Sequence, residues 1–361
     1  MNHFKQIRAE LEKRGLDAIM LTCESSRFYA SDFRTMADED GLAIVTLKQN
    51  YYITDSRYTE AAQAALTDCE LIIRENAASY VDHIKKIIAA DGIKVFGFED
   101  KTMTVSTYNE YTSGMPECTF TPASEILSKL RESKDADEID RMVKAQRIAE
   151  KALAQLLTEL KVGQTEKEIA ARLQYLMLAG GAERMSFDPI IASGENSSMP
   201  HAVPTDRKLQ PGDFLTIDFG CIYHGYCSDT TRTVAIGYAT EEMKQVYNIV
   251  LEAQLAGIKA AKAGVIGRDV HMAGHNVISA AGYGEYFGHG FGHSLGIEIH
   301  EAPNFNKRND KPMPAGAVVS AEPGIYLPGK FGVRIEDVII LKADGCDDIT
   351  LAPKDLMIIP V

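Results

Sequence analysis

The sequence has no tryptophan, and its 38 Lys and Arg are outnumbered by 51 Asp and Glu. A net charge of -13 disfavours nucleic acid as a partner, because affinity for a phosphate backbone rests on cations that neutralise it. No apolar run approaches the roughly 20 residues needed to span a bilayer, so no membrane partner is expected. The opening residues Met1-Asn2-His3-Phe4-Lys5-Gln6-Ile7-Arg8 lack the apolar stretch of a signal peptide. The cysteines Cys23, Cys69, Cys118, Cys221, Cys227 and Cys346 have no C-x-x-C spacing, which argues against a disulfide framework or structural zinc. Together these absences lead to the expectation of a cytoplasmic protein with reduced thiols.

What is present is an ordinary globular mixture, 45% hydrophobic and 25% charged over 361 residues. That is too long for one typical domain of roughly 100–200 residues, so two domains are expected. The first, residues 1–130, reads as a compact α/β unit. Phe4 to Arg14 and Tyr80 to Ala90 have helical periodicity, while Asp17 to Cys23, Gly41 to Leu47, Tyr51 to Thr54 and Ile93 to Phe98 read as strands. The charged stretch Arg131 to Glu138 reads as a linker running into a long helix from about Asp137 to Leu160.

The second domain, residues 131–361, contains a weak internal repeat. Lys161-Val162-Gly163, Lys167-Glu168-Ile169 and Ala179-Gly180-Gly181 recur 101 positions later as Lys262-Ala263-Gly264, Arg268-Asp269-Val270 and Ala280-Ala281-Gly282. Thr165 and Glu168 have the spacing of a capping box in the first half, whereas Gly267 takes the corresponding place in the second. In the strands, Gly212 to Gly220 aligns with Gly316 to Gly324, and Gly225 to Asp229 aligns with Gly332 to Glu336. Asp218 therefore matches Glu322, and Asp229 matches Glu336.

Acids set in apolar strands such as Phe214 to Phe219 and Val333 to Leu341 are costly to bury unless a partner or a cation compensates them. Any one of them is explained by a loop cap at a strand end, but four at repeat-related positions point to a metal site. Oxygen-rich ligation with one imidazole suits Mn(II), Fe(II), Co(II) or Zn(II), and the carboxylate excess favours Mn(II). The imidazole lies in Phe287-Gly288-His289-Gly290-Phe291-Gly292-His293-Ser294, followed by His300. Its alternating glycines read as positions where backbone approaches a ligand. His3, His83, His224, His271 and His275 lack this context and read as surface or packing residues.

Asp218-Phe-Gly, Ser228-Asp229-Thr-Thr-Arg-Thr, Gly288-His289-Gly-Phe-Gly-His293, Glu322-Pro-Gly-Ile-Tyr and Arg334-Ile-Glu336 together resemble the pita-bread metallopeptidases. Met199-Pro200-His201-Ala202-Val203-Pro204 is similar to the extra histidine segment of their aminopeptidase P and prolidase branch. The resemblance is strong from about Leu130 to Val361, and the first domain more weakly resembles the N-terminal domain of creatinase and prolidase. It implies a pita-bread catalytic domain of two pseudo-symmetric halves and two divalent ions per chain, Mn(II) foremost with Co(II) or Zn(II) as alternatives. By this resemblance Asp218 holds one ion, Asp229 and Glu336 bridge both, and His293 and Glu322 complete the second. It implies that His201, His289 and His300 line the substrate side, that Glu322 also carries a proton, and that the molecule is a homodimer. The expected substrate is a peptide cut between its N-terminal residue and a following proline. Arg334 is expected either to orient the bridging carboxylates or to grip a substrate carboxylate. Ala321 departs from the family pattern, where a larger aliphatic residue precedes the glutamate.

Two rival readings remain at this stage. One keeps the fold with a non-proline substrate; methionine aminopeptidases lack the first domain, and creatinase-like hydrolases have lost the ligands. The other is a catalytically silent pita-bread module that binds protein partners, a fate that normally erodes the ligand set.

Overall fold

Phe4, Ile7 and Leu11 recur at helical spacing and are all buried in the helix Phe4–Arg14, which stops where Gly15 takes a left-handed φ of 67°. The computed structural model describes residues 2–75 and 78–360. It divides into two compact units, Met1–Leu130 and Arg131–Val361. In the first unit a six-stranded mixed sheet runs in the order Glu70–Arg74, Asn50–Asp55, Gly41–Thr46, Ala18–Leu21, Val95–Phe98, Thr119–Pro122. Gly41–Thr46 is antiparallel to both neighbours and the other pairings are parallel. The central strands are buried along their whole length, which is why they read as continuous apolar runs rather than alternating ones.

The second unit begins with the helix Ala136–Glu159, capped by Asp135, whose carboxylate accepts from the Asp137 and Glu138 amides. The stretch read as a linker begins at the boundary between the two units, and within it Arg131 and Lys134 are buried and ion-paired with Glu301. The helix Glu166–Ala179 starts with the expected reciprocal cap between Thr165 and Glu168. Its counterpart Gly267–Ala280 has no side-chain cap, and a Cβ on Gly267 would lie 2.3 Å from Asn309 Nδ2 and 2.7 Å from the Asn304 carbonyl. Close packing, not capping, selects that glycine.

The repeat is real in three dimensions. Each half consists of a helix pair, Ala136–Glu159 with Glu166–Ala179 and Glu241–Ala260 with Gly267–Ala280, followed by three antiparallel strands of one sheet. The sheets contain Ile190–Ser193, Phe214–Phe219 and Thr230–Ile236 in one half, and Gly292–Ser294, Val318–Ala321 and Asp337–Lys342 in the other. An isolated antiparallel bridge joins Thr165 to Lys208, and its equivalent joins Ile266 to Pro312. Gly163 and Gly264, 101 positions apart in sequence, share left-handed φ values of 90° and 82°.

One packing feature positions the histidine segment. The fully buried Phe291 ring lodges where Gly257 and Gly274 face it; a Cβ on either would come within 2.0 Å or 2.5 Å of its atoms. Burying a phenylalanine contributes about 1.5–3 kcal/mol. Anchoring Phe291 in this notch therefore anchors the chain on both sides of it, where His289 and His293 sit.

Candidate metal centre

Asp218, Asp229, His293, Glu322 and Glu336 all line one cavity of about 580 Å³. Of the four acids only Asp218 lies within a strand, which corrects the expectation that the acids sit inside strands; His293 lies in Gly292–Ser294. Glu322 directly follows Val318–Ala321, Asp229 falls between Tyr226–Cys227 and Thr230–Ile236, and Glu336 between Phe331–Arg334 and Asp337–Lys342. At such breaks a side chain leaves the strict alternation of a strand and can turn towards a shared centre. Asp229 and Glu336 occupy equivalent breaks, as the repeat alignment requires.

Local hydrogen bonds hold these groups. The Glu336 amide donates to the Thr231 carbonyl at 3.1 Å, and Thr231 Oγ1 donates to Glu336 Oε2 at 2.8 Å. The Glu322 amide donates to the Phe291 carbonyl at 2.8 Å, and Ser320 Oγ donates to Glu322 Oε1 at 3.2 Å while accepting from the His293 amide at 3.0 Å. Gly292 serves this arrangement rather than ligand approach, because a Cβ there would lie 1.8 Å from the Ser320 carbonyl. Ala321 is fully buried, with Gln254 Nε2 donating to its carbonyl at 3.5 Å.

The electrostatics are those of a cation site. Burial first, then mutual repulsion with the neighbouring acids, pushes Asp229 and Glu336 well above the ordinary carboxylate range; burial, opposed by His289 and Arg334, also raises Glu322. His293 Nδ1 faces the Ser294 carbonyl at 3.3 Å and so carries the hydrogen, which leaves the Nε2 lone pair facing Asp229 Oδ2 at 3.6 Å and Glu322 Oε1 at 3.4 Å. A lone pair against carboxylate oxygens is repulsive unless a positive centre lies between them. One ligand atom each from Asp229, His293 and Glu336 lies within 4.8 Å of the others. Asp218 Oδ1 is buried with no hydrogen-bond partner among the described residues. One orphaned oxygen, converging acids and an inward lone pair fit divalent cations.

Around this core runs a chain that sequence reasoning did not assemble. Arg334 Nη2 donates to Asp218 Oδ2 at 2.6 Å, its Nη1 to Tyr326 Oη at 2.9 Å and to the Pro200 carbonyl at 3.2 Å, and its Nε to Thr231 Oγ1 at 3.0 Å. His289 Nε2 meets Tyr326 Oη at 3.0 Å, and its Nδ1 meets the Gly290 carbonyl at 2.8 Å. Because a carbonyl only accepts, Nδ1 carries the hydrogen and Nε2 accepts from the phenol; burial, which lowers the His289 pKa, favours this neutral form. Tyr326 was missed although its motif was visible, because nothing in Glu322-Pro-Gly-Ile-Tyr shows that its phenol reaches Arg334 and His289. His201 and His300 lie exposed on the cavity wall with no hydrogen bond to any described residue, and the His300 ring sits edge-on to His293 at 4.4 Å. His271 and His275 lie outside this cavity.

Buried acids and an imidazole gathered between two repeated halves define a metal-dependent hydrolase. Residues 140–343 match Metallopeptidase family M24, and residues 4–133 match the Creatinase/Prolidase N-terminal domain. The chain belongs to metallopeptidase family M24. It is 40% identical to an Xaa-Pro dipeptidase from Bacillus anthracis, with a TM-score of 0.93 and 98% of each chain covered. It is 37% identical to an X-Pro aminopeptidase from Thermotoga maritima, with a TM-score of 0.91 over 97% of this chain and 99% of that one. An Xaa-Pro dipeptidase of Pyrococcus horikoshii is 33% identical over 98% of both sequences.

Proposed function

We propose that this metallo-exopeptidase hydrolyses the bond between an N-terminal residue and proline, using two divalent cations held by Asp218, Asp229, His293, Glu322 and Glu336. The observation that carries this reading is the convergence of all five residues on one cavity, and the likeness to Xaa-Pro peptidases over the whole chain supports the substrate class. The carboxylate excess favours Mn(II). We assign residues 1–130 to the N-terminal domain and 131–361 to the catalytic domain.

Cations bound there would polarise the scissile carbonyl and lower the pKa of water towards neutrality. The chain's own groups then divide the remaining work. Apolar walls including Phe187, Pro200, Val203 and Ile299 suit a pyrrolidine ring. His201 and His300, with no hydrogen bond to any described residue, stabilise the oxyanion and protonate the secondary amine that leaves. Glu322 takes the proton from the attacking water. Arg334 orients Asp218 and, through Thr231, Glu336; with its donors engaged inside the protein, the orienting role is favoured over grip on a substrate carboxylate. His289 acts from a fixed orientation set by Tyr326.

The test offers Xaa-Pro and Xaa-Pro-Yaa peptides beside Xaa-Ala controls to metal-loaded enzyme, with metal content measured by elemental analysis. Cleavage of the proline peptides alone, abolished by exhaustive chelation, is expected; equal cleavage of Xaa-Ala peptides rejects the specificity, and full turnover without metal rejects the mechanism.

A further inference from the structure

A second cavity of about 400 Å³ adjoins the metal centre, sharing His289, Gly290 and Asn306 with the main one. It shares none of the wall from Phe187 to Pro204, so it extends from the histidine side of the centre. Its character is opposite to that of the chain as a whole, which carries a net charge of -13. Lys307 and Arg308 stand exposed on its wall, and neither forms an ion pair with any described residue. His271 and His275 line the same recess, one helical turn apart on Gly267–Ala280, with ring centroids 5.6 Å from one another. His271 is 4% exposed, and its Nδ1 has no hydrogen-bond partner among the described residues. Two cations without ion-pair partners among the described residues, lining one recess with an imidazole whose Nδ1 has no partner, make it suited to an anion.

The main cavity offers no such group. Among its described lining residues Arg334 is the sole Lys or Arg, and its guanidinium is engaged by Asp218, Tyr326, Thr231 and Pro200. A carboxylate placed there meets acids and histidines but no free Lys or Arg. Lys307 and Arg308 repel the α-ammonium of a substrate and attract its other end, so the recess receives the part of the peptide beyond the scissile bond.

Resting on the Xaa-Pro reading above, we propose that this recess binds the C-terminal carboxylate of substrates longer than a dipeptide, with Lys307 and Arg308 as specificity-determining residues. The preferred substrate class is therefore a short Xaa-Pro-Yaa peptide with a free C-terminus. The two cations are exposed, so their effect is modest and screened by salt, on the order of a fivefold change in kcat/KM at low ionic strength.

The experiment measures kcat/KM for Ala-Pro-Ala, its C-terminal amide and Ala-Pro, using metal-loaded full-length enzyme and its Lys307→Ala/Arg308→Ala variant. The wild type is expected to favour the free-acid tripeptide over its amide by about fivefold, mainly through KM, and to favour it over the dipeptide. In the variant the acid-to-amide ratio is expected to fall towards one. Equal rates for acid and amide in the wild type, or an undiminished preference in the variant, overturn the proposal while leaving Xaa-Pro hydrolysis standing. Failure of the wild type to cleave any of the three peptides overturns the functional reading and this proposal with it.

Discussion

Arg334 Nη2 and Asp218 Oδ2 lie 2.6 Å apart, so that one carboxylate oxygen is held by a guanidinium while the other, Oδ1, is buried without a partner among the described residues. The pair is itself buried, with Arg334 4% and Asp218 8% exposed. At an effective dielectric of about 20, unit charges about 4 Å apart interact by about 4 kcal/mol. Burial first, and then repulsion among the four acids, outweighs that single cation, so Asp229 and Glu336 retain raised pKa values despite Arg334.

The first prediction follows from that pair. Arg334→Lys keeps one charge but cannot donate at once to Asp218, Tyr326 and Thr231, since an ammonium lacks the planar fork. Turnover is expected to fall by about 10–100-fold, with weaker metal retention. Kinetics together with elemental analysis check it, and a variant matching wild type in both would reject the orienting role.

A second prediction concerns the four carboxylates. If Asp229 and Glu336 bridge, Asp229→Ala or Glu336→Ala weakens both ions, whereas Asp218→Ala mainly empties one position and Glu322→Ala mainly the other. Each loss is expected to cost at least the 10–100-fold in affinity typical of supporting groups. Metal stoichiometry at fixed free metal across the four variants decides it; two tightly held ions in Asp229→Ala would sink the paired bridge.

The histidines should separate by their partners. His201→Ala is expected to keep its metal while losing about 10²–10³ in kcat, as when an oxyanion donor is removed. Tyr326→Phe takes the phenol from His289 Nε2 and an acceptor from Arg334, so a smaller loss of roughly tenfold is expected. The measurement is metal content beside kcat. Loss of ions in step with activity in His201→Ala would make that histidine a ligand.

A fourth prediction concerns acid stability. Burial pushes the Glu301 carboxyl up, but Lys134 and Arg131 outweigh it and hold it at about 2, below its ordinary 4.5. A depressed pKa means that the unfolded chain binds the proton more readily, so the stabilisation is complete above about pH 4.5 and is lost as pH falls towards 2. Glu301→Gln is expected to be less stable near neutrality, by about 3 kcal/mol, because buried Lys134 loses its carboxylate while Arg131 keeps Glu298 at 2.7 Å, and to lose less on acidification. Chemical denaturation between pH 6 and pH 3 reads both slopes; parallel curves would contradict the assignment.

Periodicity alone placed the first helix, because Phe4, Ile7 and Leu11 needed only local spacing to mark a buried face. The repeat likewise pairs Asp229 with Glu336 from sequence alone, since equivalent folds demand equivalent glycines, and Gly163 and Gly264 share a left-handed backbone. Composition could not distinguish a solvated charge from a buried one. Arg131 and Lys134 are buried because Glu301, distant in sequence, folds against them. Nor could adjacency reveal that Phe291 sits in a notch made by Gly257 and Gly274, or that Arg334 reaches Tyr326 and Asp218 together. Residue types, spacing and internal symmetry were legible in the sequence because they are properties of the chain. Which oxygen has no partner, which imidazole nitrogen faces the acids and which cations remain unpaired were decided by tertiary structure, because hydrogen bonds and desolvation depend on groups that meet only when the chain folds.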